Sequence, residues 1–291
     1  MAEARLTPAR PDVAADYLRD EVSAQRYDPG MAYQVTASVL PIRRTPQDEG
    51  SLETQALFGE VFTVYDQKDG WGWGQAAFDG YVGYVNMAGL SAQVVEATHR
   101  IAALRSYRYP APDLKSPPLG LLSMNAKLAV TGREGDYLKE AHGGYVWAGH
   151  TLEIDDMVSD PVAVAEAFLG GPYFWGGRES LGLDCSALVQ NAYERAGQHI
   201  PRDADLQERY FADLARGDVI FSGGSAWQEM TFQRGDLFFW PGHIGVMVDE
   251  ARMIHATATH MTVAIDDVRE ISNRWLENQN LALSTVVRPH I

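Results

Sequence analysis

The chain has one cysteine, Cys185, in 291 residues. That excludes an internal disulfide framework and any zinc or iron–sulfur site built on several thiolates. No stretch approaches the roughly 18–20 apolar residues that a membrane-spanning helix needs. Basic residues are few: 24 Lys and Arg stand against 39 Asp and Glu, for a formal charge of −15. So acidic a surface repels phosphate backbones and anionic lipid, so neither nucleic acid nor a membrane is expected as a partner. The opening Met1-Ala-Glu-Ala-Arg-Leu-Thr-Pro has no basic stretch running into an apolar one. A cytoplasmic protein is expected, with export as the alternative if a leader has been removed.

What remains is an ordinary globular composition, 46% hydrophobic and 22% charged, with length for more than one domain. Residues 1–30 read as a polar lead-in. Within it, Val13, Leu18 and Val22 are spaced to predict a short helix over residues 12–26. From residue 31 the pattern changes to short alternating runs punctuated by glycine, the signature of strands and tight turns. These runs repeat. Residues 31–95 carry an apolar strand (Val61-Phe-Thr-Val64), an acidic-glycine turn (Asp69-Gly70), an aromatic strand and Gly80-Tyr-Val-Gly83. Residues 96–158 carry the same order in Ala126-Lys-Leu-Ala-Val130, Glu134-Gly135-Asp136 and Gly144-Tyr-Val-Trp147. Small closed barrels fit such spacing.

Residues 159–291 mix helix and strand signals. Asp160-Pro161 opens a helix reaching toward Leu169. A second helix runs from about Asp184 to Gly197. Later runs at 236–240, 243–249, 252–256 and 261–265 read as successive antiparallel strands, giving an α+β domain.

Cys185 stands in the first turn of the second helix, where the backbone dipole favours a thiolate. By position alone it is either a nucleophile or a buried small residue. His243 opens one of the later strands and His255 lies near the end of the next. In a hairpin the two imidazoles share a face, giving a nucleophile, a base and an orienter of the base. A zinc site made of Cys185, His243 and His255 is the metal alternative, although nothing in the spacing demands it, and no cofactor is expected.

Several linked stretches now carry a resemblance. Pro172-Tyr-Phe-Trp-Gly-Gly177, Asp184-Cys-Ser-Ala-Leu-Val189, Arg202-Asp-Ala204 with Gln207, Gly235-Asp-Leu-Phe238, His243-Ile-Gly245 and His255-Ala256 resemble the NlpC-type papain-like cell-wall peptidases. Two departures are Ala187, where that family often has glycine, and Ala204, where it often has serine. The repeats ahead resemble tandem bacterial SH3-like domains. The implied fold is α+β: a papain-like domain of helices packed on an antiparallel sheet, preceded by two small SH3-like β-barrels.

The resemblance implies Cys185 as nucleophile, His243 as base and His255 as the third member. Tyr173 would set its hydroxyl near the thiol and the oxyanion. It further implies cleavage between γ-D-glutamate and a diamino acid (diaminopimelate or lysine) in murein peptides. Some such enzymes prefer peptides beginning with a free L-alanine. Carried over by motif, an ammonium-reading cluster falls on Glu53, Tyr81 and Asp203, with Trp175, Asp184 and Ser186 as further substrate-binding candidates. For Trp175 the other expectation is core packing. The rival readings are an exported hydrolase of intact wall and an inactive murein-peptide-binding module. Oligomeric state is left open.

Overall fold

The computed structural model describes residues 3–213 and 215–290. They fall into two compact units, one running up to Asp156 and taking in Arg178–Ser180, the other formed by Met157–Gly177 and the chain from Leu181 onward.

In the first unit, residues 31–91 form a seven-stranded antiparallel sheet. Its strands are Met31–Val35, Val39–Arg43, Leu52–Leu57, Val61–Lys68, Trp71–Ala76, Val82–Asn86 and Leu90–Ser91. Alternate residues point inward, and Val35, Leu40, Ile42, Ala56, Phe62, Val64, Ala76 and Val85 make its core. Residues 99–153 divide between a three-stranded and a five-stranded sheet. Every strand pairing of the first module recurs in the second. So does the single 3-10 turn before the last strand, Met87–Gly89 in one and Ala148–His150 in the other. The modules share packing as well: Leu57 and Phe58 of the first join Ile101, Leu122, Ala126, Leu128 and Val146 in one cluster. Gly59 makes that approach possible. Its φ is +80°, and a Cβ there would stand 2.1 Å from the Lys127 carbonyl oxygen. In the same unit Arg178 forms a fully buried ion pair with Glu60 at 2.8 Å.

The helix expected over residues 12–26 does not form. Val13–Ala15 is a strand paired in parallel with Arg26–Asp28, and a single 3-10 turn, Asp16–Leu18, lies between them. A spacing of five between Val13 and Leu18 leaves no continuous helical face. The strand instead buries Val13 and Ala15 against Tyr65 and Trp73.

The second unit is three helices, then five strands, a further helix and a last strand, the six strands forming one sheet. Helix Pro161–Glu166 is capped by Asp160, whose carboxylate accepts from Val162 N at 2.9 Å. It ends three residues short of the expected Leu169. Helix Cys185–Arg195 is buried along its whole length, and helix Ala204–Phe211 follows. The sheet order is 217–222, 285–289, 237–240, 243–247, 252–257, 262–267, antiparallel throughout. The edge strand Gly217–Ser222, its neighbour Thr285–Pro289, and the helices Ala204–Phe211 and Val268–Gln279 were not anticipated from the sequence. Aromatic residues Phe232, Phe238, Trp240 and Trp275 dominate the core on one side of the sheet.

Candidate active site

The Cys185 helix starts where it does because of one carboxylate. Asp184 Oδ1 accepts from Ala187 N at 3.0 Å, capping the helix, and Oδ2 accepts from Gly176 N at 2.9 Å, tying down the preceding loop. Arg202, 1% exposed, donates to both oxygens at 2.8 Å. Its second amino group also reaches Gly177 O at 3.0 Å. Ser186 Oγ donates to Asp184 Oδ1 at 3.2 Å and accepts from Arg202 at 2.9 Å. Five donors on two oxygens leave Asp184 no lone pair for a substrate amine, and Ser186 is buried in the same network. These two candidates are scaffold. Arg202 stands in the Arg202-Asp203 motif, but only the fold shows it as the counter-charge of Asp184.

Cys185 is the first helical residue. Its Sγ–H donates to Gly242 O at 3.9 Å. Burial pushes the thiol up to about 12, with the Asp184 carboxylate adding to the rise and the N–H of Ile244 opposing it. The expected dipole-stabilised thiolate is therefore not the resting form, because desolvation and an adjacent anion outweigh the helix end. Tyr173 is held beside this point by backbone bonds from Tyr173 N to Met261 O (3.0 Å) and from Phe174 N to Leu183 O (3.0 Å). Burial, then the neighbouring Cys185 and Asp184, push its phenol up to about 12, so the hydroxyl keeps its proton and remains a donor.

The strand that opens with His243 is positioned by a two-residue turn. Trp240 pairs with His243 across Pro241-Gly242, and Gly242 takes φ +78°, the conformation a Pro-Gly turn requires at its second residue. Register then sets the imidazoles. Val246 faces Ile254 and Met247 faces Met253, which places His243 and His255 on one face, diagonally across the two strands. Their rings meet: His243 Nε2 lies 2.9 Å from His255 Nδ1. Trp275 packs edge-on against His243 with centroids 4.9 Å apart, and Trp240 lies 5.9 Å from the same ring and 5.2 Å from Trp275. Burial, with His255 alongside, pulls the His243 ring well below its ordinary value. Burial also lowers His255, against the opposing pull of Asp266. Both rings are neutral near pH 7.

A fourth residue completes the chain. His255 Nε2 lies 3.0 Å from Asp266 Oδ2, and His260 Nε2 lies 3.0 Å from the same oxygen. Neither Asp266 nor His260 drew a role from the sequence. The signal is the register: His255 faces Ala264, so Asp266, two residues on, shares its side of the sheet. Among the described residues no group of three His, Cys, Asp or Glu side chains is arranged to hold a metal ion.

The remaining candidates are divided between the two units. Glu53 and Tyr81 belong to the first unit, where Glu53 Oε1 accepts from Arg44 Nε at 2.7 Å. Glu53 holds the Arg44 guanidinium above its usual range, and the Tyr81 hydroxyl contributes in the same direction. Asp203 is in the second unit, at the start of helix Ala204–Phe211, with no side-chain bond to the helix end. Trp175 is 69% exposed, so the core-packing expectation fails for it. The sharp turn at Gly176, φ +74°, carries the preceding ring outward.

A cysteine at a helix start, next to two antiparallel strands that each present a histidine, is the layout of a papain-like cysteine peptidase. Residues 170–280 match the NlpC/P60 family, and residues 42–90 match the bacterial dipeptidyl-peptidase SH3 domain. The chain thus carries an NlpC/P60 cysteine-peptidase domain following an SH3 domain of that kind. It is 25% identical over 249 residues to a gamma-D-glutamyl-L-lysine dipeptidyl-peptidase of Bacillus cereus, covering 74% of this chain and 70% of that one. It is 32% identical over 126 residues to dipeptidyl-peptidase 6 of Lysinibacillus sphaericus, where the match spans 42% of this chain and only 41% of that protein's length. Among solved structures, an NlpC/P60 family protein from Bacillus cereus shares the fold with a TM-score of 0.71 at 20% identity, covering 88% of this chain and 99% of that one.

Proposed function

We propose that this protein is a cysteine endopeptidase that cuts the amide between γ-D-glutamate and a diamino acid in murein peptides bearing a free N-terminal L-alanine, in a recycling role. The observation that carries this reading is the unbroken hydrogen-bonded chain from His243 through His255 to Asp266 at the mouth of the Cys185 helix. A dipeptidyl-peptidase, as two of the relatives are named, releases a dipeptide from a free amino end, which favours the free-alanine substrate. The repeated strand pairing supports residues 96–158 as a second SH3-like domain, with packing support as its role.

In this mechanism the thiol and the imidazole both begin neutral. His243 Nδ1 takes the Sγ proton as sulfur attacks the γ-carbonyl carbon of D-glutamate. The oxyanion that forms is met by the backbone N–H of Cys185 and the Tyr173 hydroxyl. The imidazolium returns its proton to the leaving amine, and water then hydrolyses the thioester. Candidates for the substrate ammonium are Glu53 with Tyr81 in the first unit and Asp203 in the second, each to be tested by itself. Trp175 offers an exposed ring to the peptide.

The deciding experiment compares L-Ala-γ-D-Glu-diaminopimelate with the same peptide acetylated at its N-terminus. Cleavage of the free form alone is expected. Equal cleavage of both would favour a hydrolase of intact wall and remove Glu53, Tyr81 and Asp203 from their roles.

A further inference from the structure

Two adjacent neutral imidazoles have two possible proton arrangements, and only one of them leaves a base. If His243 carries its proton on Nε2, its Nδ1 has a lone pair for the thiol proton. In the opposite arrangement Nδ1–H faces S–H, donor against donor, and no proton can move. His255 is 0% exposed, so water does not make this choice. Nor can the rings turn to escape it, since Trp275 packs against both, with centroids 4.9 Å from His243 and 5.7 Å from His255.

We propose that Asp266 is the positioning residue that makes the choice. This rests on reading Cys185 and His243 as the reacting pair. A carboxylate only accepts. At 3.0 Å from Asp266 Oδ2, His255 Nε2 must therefore carry the hydrogen, which leaves His255 Nδ1 as the acceptor. His243 Nε2, 2.9 Å away, then donates, and its Nδ1 is left unprotonated. One anion thus fixes the proton positions on two rings in series.

The surroundings of Asp266 suit that task. From the paired strand it meets His255, and from the turn that follows it meets His260, whose Nε2 lies 3.0 Å from Oδ2 and 3.3 Å from Oδ1. The helix Val268–Gln279 contributes uncharged Trp275 to the rings. The neighbouring carboxylate, Asp267, is occupied elsewhere, accepting from Arg269 N at 2.9 Å and Glu270 N at 3.0 Å as that helix's cap. His255 and His260 hold the Asp266 carboxyl below its ordinary range, so it is an anion wherever the enzyme would work.

The test compares the native chain with Asp266→Asn. An asparagine can donate from its amide, so it permits the unproductive arrangement. Three readouts are taken: the ring-nitrogen shifts of His243 and His255 by NMR, the rate at which iodoacetamide alkylates the single cysteine at pH 7, and kcat/KM on L-Ala-γ-D-Glu-diaminopimelate. Native His255 is expected as the Nε2–H tautomer. In the variant the Nδ1–H form should appear, with alkylation slowed about tenfold and kcat/KM down about 10²-fold or more, the scale of a lost general base. A native His255 protonated on Nδ1 overturns the proposal even should the variant fail to fold, as does a folded variant that alkylates and turns over at native rates. The first two readouts need no substrate. Native protein that shows the expected tautomer and the slowed alkylation in the variant, yet leaves the peptide uncut, supports Asp266 and overturns the substrate reading instead.

Discussion

Two arginine–carboxylate pairs, one in each unit, have nearly the same length and opposite character. Asp184 and Arg202 meet at 2.8 Å with side chains 11% and 1% exposed. Glu53 and Arg44 meet at 2.7 Å, but Arg44 is 71% exposed. In the first pair every acceptor position is occupied, and the partners cannot reach water without dismantling the start of the cysteine helix. In the second, Arg44 can swing into solvent at little cost and hand its carboxylate to another cation. A buried pair fixes geometry, whereas a half-exposed pair can be exchanged. By sequence Asp184 and Glu53 are alike as substrate-binding candidates, and the burial of their partners separates them.

The largest effect expected separates chemistry from scaffold. Cys185→Ala should lower turnover by about 10⁴-fold or more, the order seen when a nucleophile is removed from a triad. Its unfolding free energy should stay within about 1 kcal/mol of the native protein, because one sulfur leaves little cavity. Peptide hydrolysis and urea unfolding on the same sample read both, and substantial residual cleavage would end the nucleophile assignment.

Arg202→Met acts on the other side of that division. It leaves Asp184 buried without its counter-charge, a loss of about 3–5 kcal/mol in urea unfolding. Retention of native stability would show the pair to be ornamental and erase the contrast with Arg44.

A pH series probes the dry interior as a whole. His243 and His255 both bind protons less readily folded than unfolded. The unfolded chain therefore takes up protons first as the pH falls, and stability, full above about pH 6.5, is lost below it. The urea midpoint should drop between pH 7.5 and pH 5. A midpoint that rose over that interval would mean the rings are protonated and paired in the fold.

The smallest effects are expected at the exchangeable pair, and they have opposite signs. Glu53→Gln should raise KM for the free-amine peptide about tenfold, the order of one charge-assisted hydrogen bond, with no change for the acetylated peptide. Arg44→Ala should lower that KM by releasing the carboxylate, with the melting temperature moved by no more than about 2 °C. Changes in the same direction for both variants would mean that Glu53 serves the barrel and not the substrate.

Much of the catalytic unit could be read locally. Asp184 ahead of Cys185 and Gly197 after Arg195 mark a helix with its thiol in the first turn, and Pro241-Gly242 marks the hairpin that presents His243. Capping and turn chemistry act over a few residues, so the sequence displays them directly. Where spacing was ambiguous the reading failed. Val13, Leu18 and Val22 are spaced for neither a clean helix nor a strand, and partners in the barrel, Tyr65 and Trp73, settled the matter. For Trp175 the sequence left substrate binding and core packing both open, and its exposure beside the turn at Gly176 removes only the second.

The sequence by itself determined which side chains could do chemistry in this protein: one thiol, two strand histidines and a tyrosine near them in the motif order. Only the tertiary structure decided their states. Burial is a property of what packs around a group, so the raised thiol, the lowered imidazoles and the saturation of Asp184 by Arg202 appear only once distant segments meet. The connection from His255 to Asp266 likewise depends on the register of two strands, which is fixed by pairing across the sheet and not by the residues along either strand.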